Sequence, residues 1–233
     1  MIKIIKKQPT QASKATEPQK PDVVVLLDES GSMTGVRKDV ITTFNEFLNT
    51  IRDTAETVSL YAFDNSGIRE VFHKESPTGL RNITEADYTP NGMTPLYDAM
   101  GLVIAEFNDS TRPVQFVTHT DGNENCSTEW NFDSLQTQIK DLTKTKGWLF
   151  VYLGEGLGQA AISNFSGLKM NFNASCRSAA MHGLGEITAK YSATMSTSFS
   201  DYTATGDTIH VDKGHGVKPG TDAKTAKSIR KND

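Results

Sequence analysis

Residues Val23 to Gly35 read VVVLLDESGSMTG. Five large apolar residues in a row, without polar alternation, suit a strand of a parallel sheet covered on both faces. The run stops at an acid, Asp28, and Ser30 and Ser32 follow at alternate positions around Gly31. A turn needs only one or two polar residues, so three oxygen-bearing side chains at even spacing call for another explanation. If the chain stays extended or turns tightly here, positions 28, 30 and 32 face one point, and Gly31 lets the backbone pass close to it.

The residues on either side extend the pattern. Val36, Val40, Phe44, Phe47, Leu48 and Ile51 recur at spacings of three and four and predict an amphipathic helix after the serines. TVSLYAF (57–63) reads as a strand, with GIREVFHKES (67–76) as its hairpin partner. Thr94-Pro95 has the form of an N-cap followed by proline at the first helical position, with Leu96, Met100, Val103, Ile104 and Phe107 as the buried stripe. PVQFVTHTDG (113–122) is a second strand running into an acid, 132–146 a polar helix, and GWLFVYLG (147–154) a third apolar strand. A short helix near 157–165, a strand near 168–172 and a last helix over 177–199 complete the expectation. Strands alternating with helices predict a three-layer α/β/α, doubly wound domain over 21–206, with a mostly parallel sheet and one antiparallel edge strand.

In such sheets ligands sit beyond the carboxyl ends of the strands, where the strand order reverses. That rule places Asp28, Ser30 and Ser32 opposite Asp121, with Thr94 close by. Two carboxylates and three hydroxyls form an all-oxygen set of the kind small hard cations take, and without His or Cys it disfavours zinc. Each fragment also has a simpler reading. Ser32 or Thr34 would cap the following helix, Thr94 would cap the helix behind Pro95, and Asp121-Gly122 would be a turn.

Asp28-x-Ser30-x-Ser32, Thr94 in GMTPLYDA and Asp121 in TDG, in this order, resemble the metal-ion-dependent adhesion site (MIDAS) of von Willebrand factor type A (vWA) domains. The resemblance spans roughly residues 21–200. GMTPLYDAM and TDGNEN are most similar to small intracellular versions from bacteria and their phages. It implies a Rossmann-like vWA fold carrying a divalent ion, usually Mg²⁺ (with Mn²⁺ or Ca²⁺ the alternatives), at the crest of the sheet. It also implies direct metal binding by Ser30 and Ser32, direct binding by Thr94 in the ligand-ready state, and binding by Asp28 and Asp121 directly or through water. The function implied is protein binding, with an Asp or Glu of a partner at the open coordination position. A shift of metal between Thr94 and Asp121, coupled to the 177–199 helix, is a further implication.

Three neighbours of the set have open roles. His119 reads as a core or rim histidine, or as a base beside the metal. Glu124, Asn125 and Cys126 read as loop surface near the site. Met93 and Tyr97 read as helix packing, or as an apolar rim around the ion.

The 233 residues carry a net charge of −4, unevenly spread. Residues 1–20 and 213–233 each carry +4, which leaves −12 for 21–212. Basic, flexible tails over 1–20 and 207–233 flanking an acidic body restrict any nucleic-acid contact to the tails. No apolar run reaches the roughly 18 residues of a membrane span, so no membrane partner is expected. MIKIIKKQPTQ lacks an apolar leader core, so a cytoplasmic location is expected, or a host cytoplasm or virion for a phage protein. Cys126 and Cys176 have no metal-type spacing and read as free thiols, with a single disulfide as the alternative. A metal-dependent hydrolase or phosphoryl transferase is the competing class, but there is no phosphate-binding Gly-x-x-x-x-Gly-Lys-Ser/Thr loop and no Ser-His-Asp arrangement. A structural subunit of a larger assembly, tethered by the tails, is the third.

Overall fold

A computed structural model of the chain describes residues 19–120, 124–154, 170–173, 210–212 and 215–218. The segments 157–165 and 177–199, both expected as helices, and Asp121 and Cys176 lie outside the described residues.

The central strands are covered on both faces, whether apolar throughout like 23–27 or carrying buried polar residues like Gln115, Thr118 and His119. β1 (Asp22–Asp28) and β4 (Val114–Thr120) are buried along their whole length. The six-stranded sheet also contains β2 (Thr57–Asp64), β3 (Gly67–Glu75), β5 (Leu149–Gly154) and β6 (Met170–Asn173), in the order β3-β2-β1-β4-β5-β6. All pairings are parallel except β2 with β3, the edge hairpin, whose ladder carries register shifts between Val58 and Tyr61. The mostly parallel sheet with one antiparallel edge strand is the predicted arrangement.

Side chains of β1 alternate between two cores. Val23, Val25 and Leu27 pack with Val40, Phe44, Phe47, Leu48 and Ile51 of α1 (Arg37–Ile51). Val24 and Leu26 pack on the opposite face with α2 (Leu96–Glu106) and with Leu135, Ile139 and Leu142 of α3 (Phe132–Thr145). Burying a side chain of this size contributes about 1.5–3 kcal/mol, so either layer of helices would be lost without its stripe. Because α1 and α2 cover opposite faces, the chain changes direction across the sheet between β1 and β4, and a crevice opens at their carboxyl ends.

Three local outcomes differ from the sequence reading. The helix expected from Val36 begins with a 3-10 turn, Gly31–Val36, before α1 proper. The polar connection 77–92 is part of the core: Leu80, Ile83 and Tyr88 are buried. Polar side chains of α1 and of its C-cap Arg52 pin it, with Asn45 exchanging two bonds with Ile83 and Arg37 and Arg52 donating to the carbonyls of Tyr88 and Pro77. The third is a short antiparallel pairing of β7 (His210–Asp212) with β8 (His215–Lys218), two strands without a signal in the sequence; the expected tail over 207–233 is otherwise outside the described residues.

Candidate metal centre

β1 delivers Asp28 to the crest of the sheet, fully buried. Its Oδ1 accepts the Ser30 backbone N–H at 2.7 Å, and its Oδ2 accepts the Thr120 hydroxyl from the end of β4. The ends of β1 and β4 therefore share one site, as the switch-point rule demands. Asp121 follows Thr120 directly and lies outside the described residues.

Ser30 is extended (φ −70°, ψ 164°) and Ser32 lies in the 3-10 turn, a change of direction that brings their hydroxyls to 3.1 Å. Neither hydroxyl caps a helix: the 3-10 turn and α1 both start without a side-chain cap, and Thr34 bonds back to the Gly31 carbonyl at 2.7 Å. Capping therefore does not account for the two serines. Ser30 is buried and Ser32 exposed, so the pair runs from the interior to solvent.

The loop carrying Thr94 lies against the serine loop. Asn91 N–H donates to the Glu29 carbonyl at 2.7 Å, and Gly31 N–H donates to the Gly92 carbonyl at 3.0 Å. Thr94 is 2% exposed. It is not the N-cap that its place before Pro95 predicts. Pro95 takes that position with no side-chain cap, and α2 starts at Leu96. The cap comes from the chain beyond β4: Glu124 Oε2 accepts the Tyr97 N–H at 2.9 Å, and Ser127 Oγ accepts the Asp98 N–H at 3.1 Å.

Glu124 and Asn125 thus do more than coat a loop. Asn125 Oδ1 accepts the Thr94 N–H at 2.9 Å, and the Asn125 N–H donates to the Thr94 carbonyl at 3.2 Å. Glu124 Oε1 also accepts the N–H groups of Cys126 and Ser127 at 2.9 and 2.6 Å. In return, the Asp98 carboxylate accepts the amides of Thr128, Glu129 and Trp130 at 2.7–3.0 Å. Burial acts to raise the Asp98 pKa, but these amides together outweigh it and hold the carboxyl below its ordinary value. Burial, with Glu124 and Asp98 nearby, raises the Cys126 thiol and keeps it protonated.

Glu29 is a second residue whose role the sequence hid. It is 5% exposed although it follows Asp28 in a polar run. Its carboxylate accepts both bonds of one Arg69 nitrogen at 2.7 and 2.9 Å, and the Thr89 amide as well. Tyr88 adds a hydroxyl bond to the Asp28 carbonyl. The serine loop is thereby fixed to β3 and to 87–92. The only legible signal was an acid inside a motif whose other polar members have ligand spacing.

The donor chemistry suits a small hard cation. The Ser30 and Ser32 hydroxyls share a hydrogen bond at 3.1 Å, a separation that also matches the roughly 3.0 Å between adjacent oxygens of an octahedral Mg²⁺ shell of ~2.1 Å. Among the described residues no three His, Cys, Asp or Glu side chains gather as a metal cluster. Ser30 and Ser32 offer hydroxyl oxygens next to Asp28, and Thr94 lies buried on the adjoining loop. His119 is 4% exposed in β4, level with Leu27 and Leu153 in the sheet.

No family model and no curated protein sequence matches the chain. Solved structures do. The pilus adhesin SpaC from Lactobacillus rhamnosus GG, in an open conformation, superposes with a TM-score of 0.58 at 15% identity over 76% of this chain and 30% of that one. The ArnB paralog VWA2 from Sulfolobus acidocaldarius gives 0.54 at 20% identity over 73% and 46%. Proximal thread matrix protein 1 from the mussel byssus, with a zinc-occupied MIDAS motif, gives 0.53 at 16% identity over 75% and 48%. The chain spans less than half the length of each. At these identities the likeness is one of fold, the α/β/α arrangement of vWA domains.

Proposed function

We propose that this chain is a metal-dependent protein-binding module whose ligand set is Asp28, Ser30, Ser32, Thr94 and Asp121. The bound ion, Mg²⁺ by preference, would supply an electrophile with one position left for an Asp or Glu of a partner protein. The residues of the chain divide the work. Ser30 and Ser32 offer neutral oxygens, so the ion's charge is not spent on them. Asp28, whose two oxygens already hold the Ser30 amide and the Thr120 hydroxyl, supplies negative potential through those groups. Fewer direct carboxylates leave a stronger attraction for a foreign one, and that attraction grows as water is excluded.

The observation that carries this reading is the 3.1 Å approach of the Ser30 and Ser32 hydroxyls beside Asp28, with no helix cap to explain them. Hydrolase chemistry has less support: His119, the nearby base, is 4% exposed between apolar strand neighbours. The test is calorimetric titration of Mg²⁺ into the full chain and its Ser32→Ala variant. Binding in the wild type and a loss of tenfold or more in the variant support the proposal. Absence of binding at millimolar Mg²⁺ overturns it.

A further inference from the structure

The exposed large apolar side chains of the described residues, Met93 and Leu102, lie on one groove. Met93 is 50% exposed and Leu102 48%. The groove has a volume of about 430 Å³ and runs between the β2–β3 turn, the start of α2 and the loop at 126–128. Pro95, Ala99 and Ile68 complete its apolar wall. Asp64 and Asp98 line it, and among the described residues no basic side chain does.

Met93 is not exposed through slackness. Its N–H is held by Asn65 Oδ1 at 2.7 Å, and the next N–H, of Thr94, by Asn125 Oδ1 at 2.9 Å. Gly92, at φ +76°, sets the turn before it. A pinned backbone that projects a thioether, facing a leucine on the outer side of α2, presents adaptable apolar surface to something outside the domain. The groove also adjoins the candidate centre, since Met93 and Pro95 flank Thr94.

We infer that this groove is the specificity subsite for the partner proposed above: it takes an apolar side chain with an adjacent Lys or Arg, from the same segment that gives its acid to the metal. Charge selects this occupant over a purely apolar or acidic one. Asp98 is held ionised by three amides, Asp64 is the second lining acid, and the body around them is strongly acidic. An anionic segment is tolerated only where the ion neutralises it, so the flank that enters the groove must be apolar and cationic.

This inference rests on the metal reading, and the experiment separates the two. Arrays of short peptides with a fixed central Asp and randomised flanks are probed with the full chain, in Mg²⁺ and in EDTA. The variants are Leu102→Glu, Asp64→Asn and Ser32→Ala. Asp64→Asn keeps the Oδ1 acceptor for the Ser66 amide, and Leu102 is exposed, so both should fold. The expected result is Mg²⁺-dependent capture enriched in peptides with an apolar residue next to Lys or Arg. Leu102→Glu should weaken the selected peptides about tenfold by removing the apolar contact. Asp64→Asn should relax the basic preference alone. Mg²⁺-dependent capture without flank preference overturns the subsite and leaves the metal reading standing. Capture that survives EDTA and Ser32→Ala overturns the shared segment together with the metal reading, as does no capture at all. Self-association of the free chain that Leu102→Glu abolishes would assign the groove to a second copy and overturn the inference.

Discussion

Asn125 and Thr94 hold each other by two reciprocal bonds, side-chain oxygen to amide at 2.9 Å and amide to carbonyl at 3.2 Å. This ring ties the stretch just beyond β4 to the threonine two residues before α2. The loop carrying Thr94 and the stretch 124–128 are thus parts of one clasp, which Glu124 and Asp98 extend on either side.

Asn125→Ala removes the acceptor and leaves the amide of buried Thr94 unpaired, at a cost of about 1–2 kcal/mol. It should also weaken Mg²⁺ binding about tenfold by releasing Thr94. Asn125→Asp keeps an acceptor and should restore both. Urea unfolding in EDTA and Mg²⁺ calorimetry measure the two effects separately.

Asp28→Ala and Ser32→Ala should part company. The first strips acceptors from the Ser30 amide and the Thr120 hydroxyl in a fully buried place, costing about 2–4 kcal/mol even in EDTA. The second removes an exposed hydroxyl and should stay within about 0.5 kcal/mol of wild type in EDTA, yet lose Mg²⁺-induced stabilisation. Equal destabilisation of both in EDTA would contradict this.

Arg69→Ala leaves the Glu29 carboxylate buried without its counter-charge. Because Arg69 is itself 44% exposed and screened, the cost should be about 1–2 kcal/mol rather than that of a fully buried pair. Glu29→Gln on that background should recover part of it. A double-mutant cycle on chemical unfolding reads the coupling, and strict additivity would deny the pair any role.

Gly92→Ala meets two obstacles. The positive φ of +76° disfavours a side chain, and a Cβ there would fall 2.0 Å from Asn65 Oδ1, which holds the Met93 amide. A loss of about 1–3 kcal/mol is expected in thermal unfolding. A melting temperature equal to that of wild type would count against this turn geometry.

Acid should loosen the clasp. Asp98 has its carboxyl held below the ordinary value, so its contribution is fully present above about pH 4 and is lost as pH falls through the folded value. Asp87 moves in the same direction, held down chiefly by its Arg81 bond and further by Thr84. Unfolding midpoints should fall between about pH 5 and pH 2, less steeply in Asp98→Ala. An unchanged slope in that variant would show that Asp98 is not a source of the acid sensitivity.

How far the sequence reached differs from element to element. The apolar runs at 23–27 and 149–153 were legible because both faces of these strands are covered, which leaves no polar alternation to confuse them, and 114–117 was legible through its β-branched and aromatic residues despite Gln115. The helix stripes at 40–51 and 96–107 were legible because each faces one core. The start of α2 was misread because local chemistry favours a Thr-Pro cap, while Glu124 and Ser127, about thirty residues away, supply the actual bonds. Leu80, Ile83 and Tyr88 escaped notice because isolated apolar residues in a polar connection carry no period.

The sequence by itself determined the alternation of strands and helices, the antiparallel edge hairpin and the place of Asp28, Ser30 and Ser32 at the end of the first strand. Those follow from backbone periodicity and short-range spacing, which a linear chain carries openly. Only the tertiary structure decided that Asn125 clasps Thr94, that Glu29 is buried against Arg69, and that Met93 and Leu102 share a groove. Each of these depends on which side chains meet across elements far apart in the chain, and such meetings are fixed by packing, where no local propensity records them.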